Sequence, residues 1–178
     1  MKNSGKSPSI WKKLPKGRNK VAENVLIVRP AEEEDVENIF LLLDEYAREK
    51  LLLARSWEDI LFHRKNFRVG VHKESGEFLC CLALRDYGEN LYEIRSLAVK
   101  KSCVNGGIGS MLVEGAVEDL QKKGEKCRVF ALTYRAPFFC RLGFKIVGKE
   151  LFPQKIWSDC AKCPKQKNCD ETAVLREL

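Results

Sequence analysis

Residues 96–116, SLAVKKSCVNGGIGSMLVEGA, run from an apolar extended segment into an amphipathic helix through a loop that holds Gly106, Gly107 and Gly109. Ile108, Met111, Leu112, Ala116 and Leu120 recur at three- and four-residue intervals, so Gly107–Lys123 reads as a helix with Gly124 just past its end. The first turn of such a helix carries backbone N–H groups without intrahelical acceptors, and the helix dipole favours negative charge beside them. Glycines let a phosphate approach those groups without obstruction by a Cβ. Val104, Asn105, Gly106, Gly107, Ile108, Gly109 and Ser110 therefore form a candidate anion cradle. Glycines that merely start a tightly packed helix are the alternative. The sequence Gly-x-x-x-x-Gly-Lys-Ser/Thr is absent, and the loop follows several strands instead of opening a βαβ unit. Both familiar nucleotide fingerprints are thereby excluded.

Outward from this loop the period of the hydrophobic pattern alternates between strand and helix. Val25–Val28 reads as a strand closed by Arg29-Pro30. Acidic residues 32–35 precede an amphipathic helix through Val36, Ile39, Phe40, Leu43 and Ala47. Ser56-Trp57-Glu58-Asp59 opens a second helix as a capping box. Phe67–His72 and Phe78–Arg85 flank a glycine-containing turn as a hairpin, and Leu91–Val99 is a further strand. Cys127–Tyr134 is strand, Pro137 starts a short helix that Gly143 stops, and Phe144–Val147 and residues 172–178 return as strand. Strands mixed with helices, some joined as hairpins and one pair through a crossover helix, predict an α+β domain with a mixed, mostly antiparallel sheet flanked by helices.

The 178-residue chain fits one domain, expected over residues 24–178. Residues 1–20 carry seven of the 32 basic side chains and no acid, so the other 158 residues balance 25 bases against 25 acids. A neutral body argues against a nucleic-acid surface spread over the domain. Residues 1–23 read as a solvated, disordered basic tail too poor in apolar side chains to order itself. They lack the apolar core of a secretory signal, and no stretch is long enough to span a membrane. Eight cysteines without such a signal predict a reducing, cytoplasmic setting. Cys80, Cys81, Cys103, Cys127 and Cys140 read as small buried hydrophobes. Cys160, Cys163 and Cys169 cluster in a Lys-rich stretch, where metal binding, redox-labile thiols and plain packing stay open. A closed tetrahedral site would need a fourth ligand, and no metal is assigned.

The segment SLAVKKSCVNGGIGSMLVEGA, followed by FALTYRAPFFCRLGF at 130–144, resembles the Gcn5-related N-acetyltransferase (GNAT) superfamily from Val25 to the C-terminus. LLLARSWED (51–59), EIRSLAV (93–99), FALTY, FFCRLGF and KIWSDCAKCPKQKNCDETA (155–173) resemble, more closely, the short single-domain amino-acid N-acetyltransferases of the N-acetylglutamate synthase type. The resemblance implies acetyl-CoA as co-substrate, an α-amino group as acceptor, glutamate as the preferred amino acid, and a place in arginine biosynthesis. A protein or peptide acceptor and a non-catalytic CoA-binding module are the alternatives. It also implies an acetyl-CoA site made by Leu97, Ala98 and Val99, the loop 104–110 and Phe139. Val104 stands where the family pattern has Gln or Arg, which removes one side-chain phosphate contact. A bulge near Leu97 would free an amide for the thioester carbonyl. Phe139 stands where many members carry a tyrosine that protonates the departing thiolate, and phenylalanine has no proton to give. Thr133 and Tyr134 are the nearest candidates for that task.

Alternation places Leu91, Glu93, Arg95, Leu97 and Val99 on one face of their strand, and the bulge near Leu97 would shift that alternation beyond it, which leaves Glu93 and Arg95 assigned. A carboxylate in the middle of an apolar strand is costly unless it is paired or faces a polar cleft. Glu93 is accordingly the candidate catalytic base, with a structural Glu93–Arg95 ion pair as the alternative. Arg55 and Arg95 are the candidate carboxylate binders, because guanidinium matches a carboxylate in bidentate fashion, and Thr133 completes the expected acceptor site. Oligomeric state is not legible in the sequence, and a homodimer stays open.

Overall fold

A computed structural model describes residues 26–124, 126–158, 161 and 168–178. The expected basic tail, Cys160 and Cys163 lie outside the described residues. Seven strands form one sheet in the order β1 (Leu26–Pro30), β2 (Phe67–His72), β3 (Phe78–Asp86), β4 (Leu91–Val99), β5 (Arg128–Thr133), β7 (Thr172–Glu177) and β6 (Lys145–Val147). The β4–β5 pairing is parallel and the other pairings are antiparallel. This is the mixed α+β sheet that the sequence predicts.

Helices cover both faces. α1 (Val36–Arg48) and α2 (Trp57–Phe62) lie on one side, where Val36, Ile39, Leu43 and Ile60 pack on Phe67, Val69, Cys81 and Ala98. Each such fully buried apolar side chain contributes about 1.5–3 kcal/mol relative to exposure. α2 starts where the capping residues place it, with the Ser56 hydroxyl accepting a hydrogen bond from the Asp59 N–H at 3.2 Å. α3 (Ile108–Gln121) and α4 (Ala136–Cys140) lie on the opposite side, where Leu112, Val113, Ala116 and Phe139 meet Leu82, Ile94 and Val129. A short helix that the sequence reading did not anticipate, α5 (Pro153–Ser158), follows β6, and Phe152 before it stacks on Phe130 at 4.0 Å between centroids.

Three local expectations are corrected. β1 runs through Arg29-Pro30 instead of stopping before them, because β1 is an edge strand where a missing N–H is tolerated. Cys140 is exposed and Cys103 half-buried, unlike Cys80, Cys81 and Cys127, which are buried. Burial pushes the Cys80 thiol up to about 12 and the Cys81 thiol higher still. Leu97 and Val99 do not share a face with Glu93 and Arg95. Cys81 opposes Ala98 but Ala83 opposes Arg95, so two residues of β4, Ser96 and Leu97, stand against Leu82 alone. Ser96 adopts φ +52°, and this bulge turns Leu97 and Val99 towards α3 and Ala98 towards α1.

Candidate active site

The bulge also parts the two central strands. β4 pairs with β5 only at Leu91, Tyr92 and Glu93, and beyond that point the strands diverge. A cavity of about 410 Å³ fills the opening, floored by Ile94–Leu97 and Ala131–Tyr134 and closed by the loop before α3 and by Phe138 and Phe139 of α4. Parallel strands that separate at their C-terminal ends leave backbone groups unpaired without a hydrogen-bonding cost only where a ligand or water can reach them.

One wall is built almost entirely from main chain. Asn105 at φ +70° and Gly107 at φ +85° turn the chain so that Gly107 is the N-cap of α3, and glycine supplies no side-chain acceptor there. The first N–H groups of α3 are thus left for an anion. A Cβ added at Gly109 would meet Val99 Cγ2 at 3.5 Å and Phe138 at 3.7 Å, ordinary contact distances. Packing alone therefore does not demand glycine at 109. What a side chain there would occupy is cavity, which supports the cradle over the tight-packing alternative. Residues of α1 and just beyond it hold the loop's entry. The Tyr46 hydroxyl donates to the Val99 carbonyl at 2.7 Å, and Lys101 pairs with Glu45 at 3.0 Å and with Glu49. Burial raises the Tyr46 phenol above its ordinary pKa, which keeps the hydroxyl proton available for that bond.

Side chains complete the lining: Arg95, Thr133, Tyr134, Arg135, Arg141 and Glu171 also face the cavity. The Thr133 hydroxyl accepts from the Arg135 N–H at 2.9 Å. Of the expected cofactor residues, Leu97, Val99, Val104, Asn105, Gly107, Ile108, Gly109, Ser110 and Phe139 line this cavity, and Arg95 and Thr133 of the acceptor set join them. Ala98 is buried on the α1 side because of the bulge, and Gly106 contributes backbone to the loop without lining the cavity.

Arg55 is placed apart. It lines a neighbouring groove, its Nε donates to Asp59 at 2.6 Å, and its guanidinium lies over the Phe67 ring. Arg95 lines both spaces and so stands where they meet. Glu93 is also placed apart. Its carboxylate is buried, paired with Lys155 Nζ at 2.8 Å and accepting from the Tyr87 hydroxyl at 3.1 Å, and it is not among the cavity's lining residues. Lys155 from α5 is thus an ion-pair partner of Glu93 that spacing along the strand does not offer. Among the described residues no group of three or more His, Cys, Asp or Glu side chains is placed to hold a metal ion. No described helix is long and apolar enough to cross a membrane.

Tyr46, Lys155 and Glu171 were not legible as site residues. Tyr46 lies at a helical spacing that also suits packing, while Lys155 and Glu171 lie in a stretch whose pattern resembles a loop. Only the fold brings them to the sheet.

The acetyltransferase (GNAT) family model matches residues 33–144. An uncharacterized N-acetyltransferase of Chlorobaculum tepidum is 44% identical over 151 residues, covering 85% of this chain and 96% of that protein. An amino-acid acetyltransferase of Mycobacterium tuberculosis is 35% identical over 122 residues, covering 66% of this chain and 67% of that protein. The structure of N-acetylglutamate synthase from Neisseria gonorrhoeae, complexed with coenzyme A and N-acetyl-glutamate, superposes with a TM-score of 0.75 at 25% identity. That match covers 86% of this chain and 35% of the Neisseria chain.

Proposed function

Since the chain belongs to the acetyltransferase (GNAT) family, we propose that it transfers the acetyl group of acetyl-CoA directly to the α-amino group of an amino acid, with glutamate the preferred acceptor. The observation that carries this reading is the shape of one cavity. One cavity, which opens where β4 and β5 part, holds a backbone cradle for a diphosphate and an arginine-lined stretch that we take as its acceptor end. The similarity to an amino-acid acetyltransferase and to an N-acetylglutamate synthase supports an amino acid as acceptor.

Residues of this chain divide the work as follows. The N–H groups of the 105–110 loop and the first turn of α3 bind the diphosphate of acetyl-CoA, and Phe138 and Phe139 pack beside its arm. The β4 backbone at the Ser96–Leu97 bulge, released from β5, donates to the thioester oxygen as negative charge grows there. Arg95 binds an acceptor carboxylate. Arg55, one groove away and already paired with Asp59, contributes to longer acceptors. Glu93 holds Lys155 in place, and as a base it would reach the amine only by a relay.

The test is thiol release from acetyl-CoA with a panel of free amino acids and short peptides. The expected result is the highest kcat/KM for glutamate. Turnover confined to peptide N-termini would replace the amino-acid reading with a protein N-acetyltransferase, and CoA binding without any turnover would leave only a binding module.

A further inference from the structure

Glu93 and Glu171 are two carboxylates near Lys155, and the fold treats them differently. Glu93 is sealed in, both oxygens engaged by Lys155 and Tyr87. Glu171 directly precedes β7, whose first residue Thr172 is paired with Thr133 at the end of β5. That register sets Glu171 level with the open end of the sheet, and its half-buried side chain lines the cavity with Arg95, Thr133 and Tyr134. Glu93 and Glu171 both stand beside the Lys155 ammonium, which Glu93 engages at 2.8 Å, and Lys149 is a second cation near Glu171. Of these two carboxylates, Glu171 is the one that lines the cavity.

Resting on the acceptor assigned above, we propose that Glu171 is the carboxylate that receives the acceptor's ammonium group and takes its proton. An α-amino group with a pKa near ~8 is mostly protonated at neutral pH and has no lone pair to attack with. Glu171 accepts one proton. The nitrogen lone pair then forms the C–N bond with the acyl carbon, the C–S bond breaks with its electron pair going to sulfur, and the nitrogen's second surplus proton ends on sulfur as the thiol. The proton on Glu171 returns to solvent. The environment suits the task. Burial raises the Glu171 carboxyl above the ordinary carboxylate range, Lys155 opposes that, Glu93 reinforces it, and Lys149 and Asp170 add smaller opposed effects. The Cys169 thiol stands 4.0 Å from Glu171 Oε2, and Arg95 and Arg141 line the same cavity.

Glu171→Gln preserves size and removes charge and basicity. The expected loss in kcat/KM for the amino-acid acceptor is about 100-fold at pH 7. It shrinks as pH rises towards the amine's own pKa, while CoA affinity by calorimetry stays at the parent value. Glu171→Asp retains part of the rate. Superimposable pH–rate profiles for Glu171→Gln and parent overturn the proposal, as does an acidic limb lost only in Glu93→Gln. A parallel loss of CoA affinity in Glu171→Gln marks a structural role and overturns it too. If the parent acetylates no amine in the panel, the acceptor reading falls and takes this one with it; parent turnover with an unaffected Glu171→Gln sinks Glu171 alone.

Discussion

The two ends of the cavity are made of different material. The cradle before α3 is main chain: its geometry comes from Asn105 and Gly107 in left-handed conformations and from the uncapped first turn of a helix. The proposed acceptor end is side chains delivered by β4, β5, α4 and the residue preceding β7, with α5 supplying Lys155 behind them. A main-chain site depends on local dihedrals more than on the identity of its side chains. A side-chain site depends on four or five elements being in register and on charges that cannot be left unpaired once buried.

That contrast can be broken or sharpened by substitution. The largest effect is expected behind the acceptor end, where Lys155→Met leaves Glu93 buried without its cation and costs about 3–5 kcal/mol of stability by urea unfolding. Adding Glu93→Gln to it should recover most of that loss; an additive double variant would show that the pair does not act as a unit. Next, Gly107→Val forces a β-branched residue to φ +85° and should weaken CoA binding by about 100-fold or more. Calorimetry giving the parent Kd would mean that the cradle is not where the diphosphate sits. Arg95→Ala should raise the acceptor KM by roughly 10-fold while leaving the acetyl-CoA KM alone, the loss of a charge-assisted hydrogen bond. Equal changes in both constants would merge the two ends into one site. Tyr46→Phe removes one hydrogen bond to the Val99 carbonyl and should cost about 1 kcal/mol in thermal or urea stability.

The smallest effect follows from Glu171. Its folded-state pKa is raised, so the stability linked to its protonated form is fully present below the unfolded-state pKa and is lost as pH rises through the folded one. Glu171→Gln should therefore be slightly more stable than the parent at pH 7 and indistinguishable from it in acid, compared by urea midpoints at the two pH values. A variant less stable at pH 7 would reverse the sign and show Glu171 to be held by its positive neighbours.

Much of the fold was legible because each strong element announces itself locally. The hairpin around Gly76, the helix from Ile108 with Gly124 beyond it, and the strand Leu91–Val99 stand where hydrophobic period and turn chemistry place them. The glycine turn that opens α3 was legible for the same reason. The partner of Glu93 was not: alternation offered Arg95, two residues away, and the fold supplied Lys155 from 62 positions along the chain. Alternation alone would put Leu97 and Val99 on the face of Glu93; the bulge that the family resemblance led us to expect near Leu97 turns them away, and the register of β3 on β4 sets it at Ser96–Leu97.

By itself the sequence determined the α+β order of elements, the glycine turn with its helix start, and the absence of a hydroxyl at Phe139. These are consequences of backbone freedom, hydrophobic period and residue type, which act within a few neighbours. Only the tertiary structure decided which carboxylate is sealed and which faces the cavity, which of Arg55 and Arg95 lines it, and how far β4 and β5 stay together. Burial and pairing are set by whatever packs alongside, and Lys155, beside both Glu93 and Glu171, comes from 62 positions beyond Glu93.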